Sequence, residues 1–181
     1  MAVVRPAFAN RIMDRYDLCV ATRDHHPPDH GSFAVNHRGG EVGRIIDLDG
    51  LDQVLWPVHC VQGTRGSELV DELDREKIAA VFPKGAHHAV DSYSGFFDNG
   101  RRRGTGLAEY LREQGVSRVD IMGLATDYCV KFTALDAASL GFDTRLLVAG
   151  CRAVNLKSGD DQRALDEMEA AGVTLVREIN S

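Results

Sequence analysis

Five short apolar runs, at residues 18–22, 78–82, 119–124, 144–148 and 173–176, alternate with stretches whose apolar residues recur at helical spacing, at 5–16, 67–73, 105–114 and 160–171. Runs this short, without polar alternation, suit strands buried on both faces, as in parallel sheets. Parallel strands need crossover connections, and the intervening helical stretches supply them. The pattern therefore predicts an α/β protein, a three-layer sandwich with a parallel sheet between helices. With 44% hydrophobic and 27% charged residues, the 181 residues describe one domain, 1–181, long enough for a sizeable core. No repeat, linker or low-complexity segment divides it.

Ligands of open parallel sheets bind beyond the carboxyl ends of the strands. The residues that follow the apolar runs are therefore the ones to read for chemistry. Asp24 follows the first run and Lys84 the second; the third leads into Gly123-Leu124-Ala125-Thr126-Asp127-Tyr128-Cys129-Val130. There a strand feeds a helix beginning near Cys129, with Val130, Ala134, Ala137 and Ala138 on one face, Thr126 or Asp127 as a cap, and Gly141 as its stop. Unpaired N–H groups at such a junction, together with the helix dipole, lower a thiol's pKa and can hold an oxyanion. An isolated cysteine, however, more often packs than reacts, and a lysine in a Pro-Lys-Gly turn is more often simply solvated.

Residues 24–66 are rich in Gly, His and Asp and carry little periodicity, which marks a long functional or disordered loop. Asp24, His26 and His59, with His30 as a fourth, offer a donor set suited to one divalent ion, zinc first, with iron or manganese as alternatives. On a strand end, residues 24 and 26 point to the same side. The competing reading is a polar surface loop with scattered histidines, since His25, His37, His87 and His88 bring the total to seven.

A net charge of −6 and a pI near 5.6 leave no basic footprint for nucleic acid, and Arg101-Arg102-Arg103 reads as a solvated turn. No apolar stretch is long enough to span a membrane, and no signal-peptide core opens the chain. Cysteines at 19, 60, 129 and 151 form neither a C-x-x-C pair nor a disulfide framework, so a reducing cytoplasm is expected. A homo-oligomer is compatible with this composition.

Taken together, four ordered motifs resemble the nicotinamidase (pyrazinamidase) branch of the isochorismatase-like cysteine hydrolases. The string 123–130 resembles that branch's nucleophile turn. Asp24-His25-His26-Pro27-Pro28-Asp29-His30-Gly31-Ser32-Phe33-Ala34 resembles its metal segment, and Trp56-Pro57-Val58-His59-Cys60 its Trp-Pro-x-His-Cys segment. Lys84-Gly85 with Asp91-Ser92-Tyr93-Ser94-Gly95-Phe96-Phe97-Asp98-Asn99 completes the set. The resemblance runs from about residue 5 to the end. It implies hydrolysis of nicotinamide to nicotinate and ammonia, with pyrazinamide as an alternative substrate. Cys129 would be the nucleophile, Lys84 its catalytic partner, and the N–H groups of Ala125 and Cys129 the oxyanion donors after a cis Leu124-Ala125 bond. Asp24, His26, His59 and His30 would hold the metal that orients the pyridine ring. Trp56 and Tyr93 would flank that ring, although core packing is an equal reading for both. His25 stands where the family commonly has an aromatic residue and would line the pocket.

One departure accompanies these matches. The family's sheet has a first central strand ending in an Asp that shuttles protons with the cysteine and lysine. Residues 1–4 would start just after it, and Asp14 and Asp17 lie beyond the first helix. The expectation is five parallel strands with a break between the 18–22 and 119–124 strands, and turnover impaired by the absent Asp. A metal-binding protein of the same fold without activity, a metal-water hydrolase, and a related cysteine hydrolase of another small amide are the competing readings.

Overall fold

A computed structural model of the chain describes residues 6–178. The expected helix at 5–16 is α1, Pro6–Met13; residue 5, like residues 1–4, lies outside the described residues. It turns Phe8 and Ile12 inward against Leu147, Met122 and Val176. The strands that follow are β1, Val20–Asp24, and, far along the chain, β4, Ala80–Lys84, paired in parallel. Their register sets Val20 beside Ala80 and ends with Asp24 beside Lys84. Both strands run two residues further than expected, so Asp24 and Lys84 are the last residues of their strands rather than the first of the loops.

The stretch between them is not structureless. It contains an antiparallel hairpin, β2, Ile45–Leu48, and β3, Leu51–Val54. Asp49 and Gly50 join the two strands with φ of 55° and 81°. Two consecutive positive φ values define the tight turn whose twist matches a hairpin, and Asp-Gly is a preferred pair for it. The helix expected at 67–73 does not form. Short 3₁₀ turns, Arg65–Ser67 and Arg75–Lys77, flank it, and Arg65 and Arg75 both reach Asp71 from the two sides. So short an apolar stretch does not repay the cost of helix nucleation.

The second half keeps the predicted alternation: α2, Leu107–Glu113; β5, Arg118–Ile121; α3, Lys131–Ser139; β6, Asp143–Leu147; α4, Asp160–Ala170; and β7, Thr174–Val176. Strands β5, β6 and β7 pair in parallel in that order. Among the described residues, β1–β4 and β5–β6–β7 are two separate parallel sheets. Val20 and Phe82 from one, with Leu18 just ahead of β1, and Val119 and Ile121 from the other, pack on the same apolar cluster of Phe96, Leu107, Leu111, Ala137 and Phe142. A second cluster joins α3 and α4 to β6 through Ala134, Leu146, Ala164, Leu165 and Met168. Burial on this scale contributes roughly 1.5 to 3 kcal/mol per large side chain. The α/β class holds, and no helix among the described residues is long and apolar enough to cross a membrane. All four cysteines are free.

Candidate functional site

The β1–β4 register does the first work of assembly by placing a carboxylate and an ammonium side by side. The Lys84 ammonium donates to Asp24 Oδ1, to the Ser92 carbonyl at 2.8 Å and to Cys129 Sγ at 3.3 Å. Its side chain is 4% exposed, so it is not the solvated lysine common in Pro-Lys-Gly turns. Burial alone would lower its pKa, but Asp24 and then Cys129 outweigh burial and raise it well above the ordinary lysine value. Asp24 responds in the opposite sense: burial would raise its pKa, and Lys84 followed by His26 pulls it below the ordinary value.

Cys129 arrives from the other sheet. Beyond β5 the chain passes Gly123, at φ 138°, and the cis Leu124-Ala125 bond, into a π-helical turn, Thr126–Val130, that leads into α3. Cys129 thus lies within a widened turn rather than at the start of the helix. Neither expected cap forms. Asp127 turns away to accept the N–H groups of Val154 and Asn155 at 3.0 and 2.7 Å, pinning the loop after β6. The expected lowering of the thiol pKa is also reversed: burial pushes Cys129 up to about 11, against the opposing pull of Lys84. In this state the thiol keeps its proton beside an ammonium already engaged by Asp24.

On the far side of Asp24, the ligand atoms of Asp24, His26 and His59 lie within 4.8 Å of one another. The tautomers of the two imidazoles are set by backbone carbonyls. His26 Nδ1 lies 2.8 Å from the Gly85 oxygen, and His59 Nδ1 lies 2.8 Å from the Pro57 oxygen. A carbonyl only accepts, so each Nδ1 carries the hydrogen and each Nε2 presents a lone pair, the form that binds a cation. With one carboxylate, the set fits a divalent ion. Gly85 is needed for this, because a Cβ there would lie 2.4 Å from His26 Cε1, at a backbone φ of 62°.

His30 is brought near but is bonded the other way. Its Nδ1 accepts the Ser32 N–H at 3.1 Å and meets the Ser32 hydroxyl at 2.7 Å. The hydrogen therefore sits on Nε2, which is buried and makes no hydrogen bond. So bonded, His30 offers an N–H rather than a lone pair, and burial holds its pKa down at about 4. Its ligand atoms group with His26 and Asp91 rather than with Asp24 and His59. Phe33, fully buried, packs against His26, His30 and His59 alike, with ring centroids 5.5 to 5.7 Å apart.

Trp56 and Tyr93 meet edge to face, and the indole N–H donates to the Tyr93 phenol at 3.1 Å. Tyr128, beside the nucleophile candidate, stands edge-on to both, at 4.8 and 5.4 Å, and Phe132 stacks on Tyr93 at 5.5 Å. Trp56, Tyr93 and Tyr128 thus make an aromatic wall. A cavity of about 390 Å³ adjoins it, lined in part by Ile45, Tyr93, Tyr128, Phe132 and Lys131. Sequence reading missed Tyr128, Gln53, Asp91 and the Ser92 carbonyl. Tyr128, Asp91 and Ser92 have a signal in their places in the 123–130 and 91–99 motifs, whereas Gln53 lies on a strand outside all four motifs.

An isochorismatase domain model matches residues 19–178. The chain is 50% identical over 171 residues to the nicotinamidase of Escherichia coli (strain K12), covering 92% of this chain and 80% of that one. Its structure resembles that of the Acinetobacter baumanii nicotinamidase pyrazinamidease, with a TM-score of 0.91, 38% identity, and 94% and 82% of the two chains covered. It also resembles the Pyrococcus horikoshii pyrazinamidase in complex with zinc, with a TM-score of 0.73, 36% identity, and 96% and 82% covered.

Proposed function

Because the chain belongs to the isochorismatase family, we propose that it hydrolyses nicotinamide to nicotinate and ammonia, with pyrazinamide as a second substrate. The observation that carries this reading is Lys84, whose one ammonium touches Cys129 and Asp24 while Asp24 shares a donor set with His26 and His59. A thiol, a cation and a cation-binding nest are thus joined through two residues.

In this reading Cys129 Sγ attacks the carboxamide carbon, and the N–H groups of Ala125 and Cys129 hold the oxyanion. The thiol proton passes to the leaving nitrogen, so that ammonia departs and a thioester remains. Water then cleaves the thioester, returning the thiol and releasing nicotinate. Lys84 holds the sulfur's developing charge, and the Asp24 carboxylate on Lys84 is the group placed to take over, at reduced rate because Lys84 holds its pKa low, the proton transfers that the resemblance assigns to a separate strand-borne Asp. Trp56, Tyr93 and Tyr128 hold the flat ring. When bound at Asp24, His26 and His59, a divalent ion supplies a Lewis-acid contact for the ring nitrogen; zinc is favoured because the Pyrococcus horikoshii pyrazinamidase was solved with it.

A second reading, a metal-binding protein with little turnover, is favoured by one feature. Asp24 is asked to serve both the ammonium and the cation nest, and a shared carboxylate is a poor proton carrier. One assay separates the two readings: ammonia release from nicotinamide by zinc-loaded protein, with Cys129→Ala as the blank. Turnover that survives Cys129→Ala refutes the thiolate mechanism, and no release by the parent chain favours the second reading.

A further inference from the structure

Gln53 is the one fully buried residue of the β2–β3 hairpin, 2% exposed on a strand whose other residues are half-buried or exposed. A primary amide at that depth is costly unless its hydrogens are used. Its side-chain nitrogen lies 2.7 Å from the Val54 carbonyl, 3.0 Å from the Tyr93 phenol oxygen and 3.2 Å from Asp91 Oδ2. Val54 O and the carboxylate only accept, which identifies this end of the amide as the donor.

The two distant partners flank a single residue. Asp91, Ser92 and Tyr93 are consecutive, and each serves a different part of the site. The Ser92 carbonyl holds Lys84. The Tyr93 phenol receives the Trp56 indole N–H as well as the Gln53 amide, which sets the pitch of the aromatic wall. Asp91 is 3% exposed, and its carboxylate lies within 4.8 Å of ligand atoms of His26 and His30. It sits on the Gly85 side of His26, since a Cβ on Gly85 would be 2.7 Å from His26 Nδ1 and 3.3 Å from Asp91 Oδ1. The carboxylate therefore stands near the Nδ1–Cε1 edge of the imidazole, across the space that a Cβ on Gly85 would fill. A negative charge in that place strengthens the imidazole's hold on a cation.

We propose that Gln53 is a positioning residue that sets the cation nest and the aromatic wall together. Its one amide ties the carboxylate beside His26 to the phenol that orients Trp56, although Gln53 itself touches neither ion nor ring. The inference rests on the metal and ring roles proposed above. It requires that loss of the amide disturb both at once, and that loss of the Asp91 charge alone disturb only the cation.

Two variants test this, Gln53→Leu and Asp91→Asn, with two readouts that do not depend on turnover. One is zinc affinity by competition with a chromophoric chelator; the other is the emission of Trp56, the only tryptophan of the chain. Gln53→Leu should weaken zinc about tenfold or more, in the range seen for groups that orient metal ligands, and should shift the Trp56 emission. Asp91→Asn keeps the shape and an acceptor for Gln53, so it should weaken zinc similarly and leave the emission unchanged. Wild-type zinc affinity in a folded Gln53→Leu protein would overturn the proposal, as would wild-type affinity in Asp91→Asn even if the leucine variant fails to fold. A parent chain that binds no zinc overturns the metal reading and this coupling together.

Discussion

The Lys84 ammonium lies 3.3 Å from the Cys129 sulfur and is shared between that sulfur and the Asp24 carboxylate. The two strand ends that carry Asp24 and Lys84 are neighbours in register, so the pairing is a property of the sheet and not of flexible loops. The thiol side of the contact comes from a separate sheet, by way of the widened turn after β5.

The first consequence concerns the nucleophile. Burial raises the Cys129 pKa to about 11 while Lys84 pulls it down. Alkylation by iodoacetamide should therefore be slow at pH 7 and rise with pH toward 11, because only the thiolate reacts. Lys84→Met removes the cation in contact with the sulfur, so alkylation at any given pH should slow further. Mass spectrometry of Cys129 over time measures this, and an unchanged rate in Lys84→Met would show that the ammonium does not act on the thiol.

Gly85 gives a second prediction. A methyl group there would strike His26 at 2.4 Å, and the backbone conformation is one that side chains rarely adopt. Gly85→Ala should displace His26 and lose zinc affinity by about 10- to 100-fold, the cost typical of disturbing a ligand's supports. Equilibrium dialysis against zinc measures the loss. His30→Ala should cost less than His26→Ala, since His30 as bonded presents an N–H.

A third prediction is of stability at high pH. Burial lifts the Cys151 thiol from about 9 to about 11. A folded-state pKa above the unfolded value means that the folded chain keeps a proton the unfolded chain has released. The stabilisation is thus whole below pH 9 and is lost as pH rises toward 11, by at most about 1.4 kcal/mol per pH unit for one such group. Denaturant midpoints at pH 8 and pH 10.5 should show the fall, and Cys151→Ala should make it shallower.

What could be read from the sequence follows how local its causes are. The parallel strands and the helices after residue 105 announce themselves by apolar periodicity, and the metal-competent pair of His26 and His59 by ordered motifs. The hairpin at 45–54 has a local signal, Asp49-Gly50 between short apolar runs, but its polar neighbours mask the alternation. The helix at 67–73 fails because seven residues do not repay nucleation, and the exposed pairs of Arg65 and Arg75 with Asp71 that accompany the turns instead are not revealed by periodicity. Tautomers of three histidines depend on which carbonyl or N–H each ring meets in space. The raised thiol pKa depends on burial by distant segments, which a local reading of a helix start does not contain.

The last prediction concerns Asp24, which stands where two demands meet. Its carboxylate pairs with Lys84 and also completes the set with His26 and His59. Asp24→Asn keeps the shape and removes the charge. Zinc affinity should fall, because a neutral amide is a far weaker ligand than a carboxylate. Lys84 would lose the partner that most raises its pKa, and the site would lose the carboxylate proposed to move protons. If Asp24 acted only through the ion, enough zinc to fill the weakened nest would restore turnover. The expected result is that saturating zinc restores occupancy, checked by elemental analysis, but not turnover, leaving a deficit of about 10²- to 10⁴-fold typical of a lost general acid or base. Recovery of most of the rate at full zinc occupancy would show that the Asp24 to Lys84 contact has no part in proton transfer.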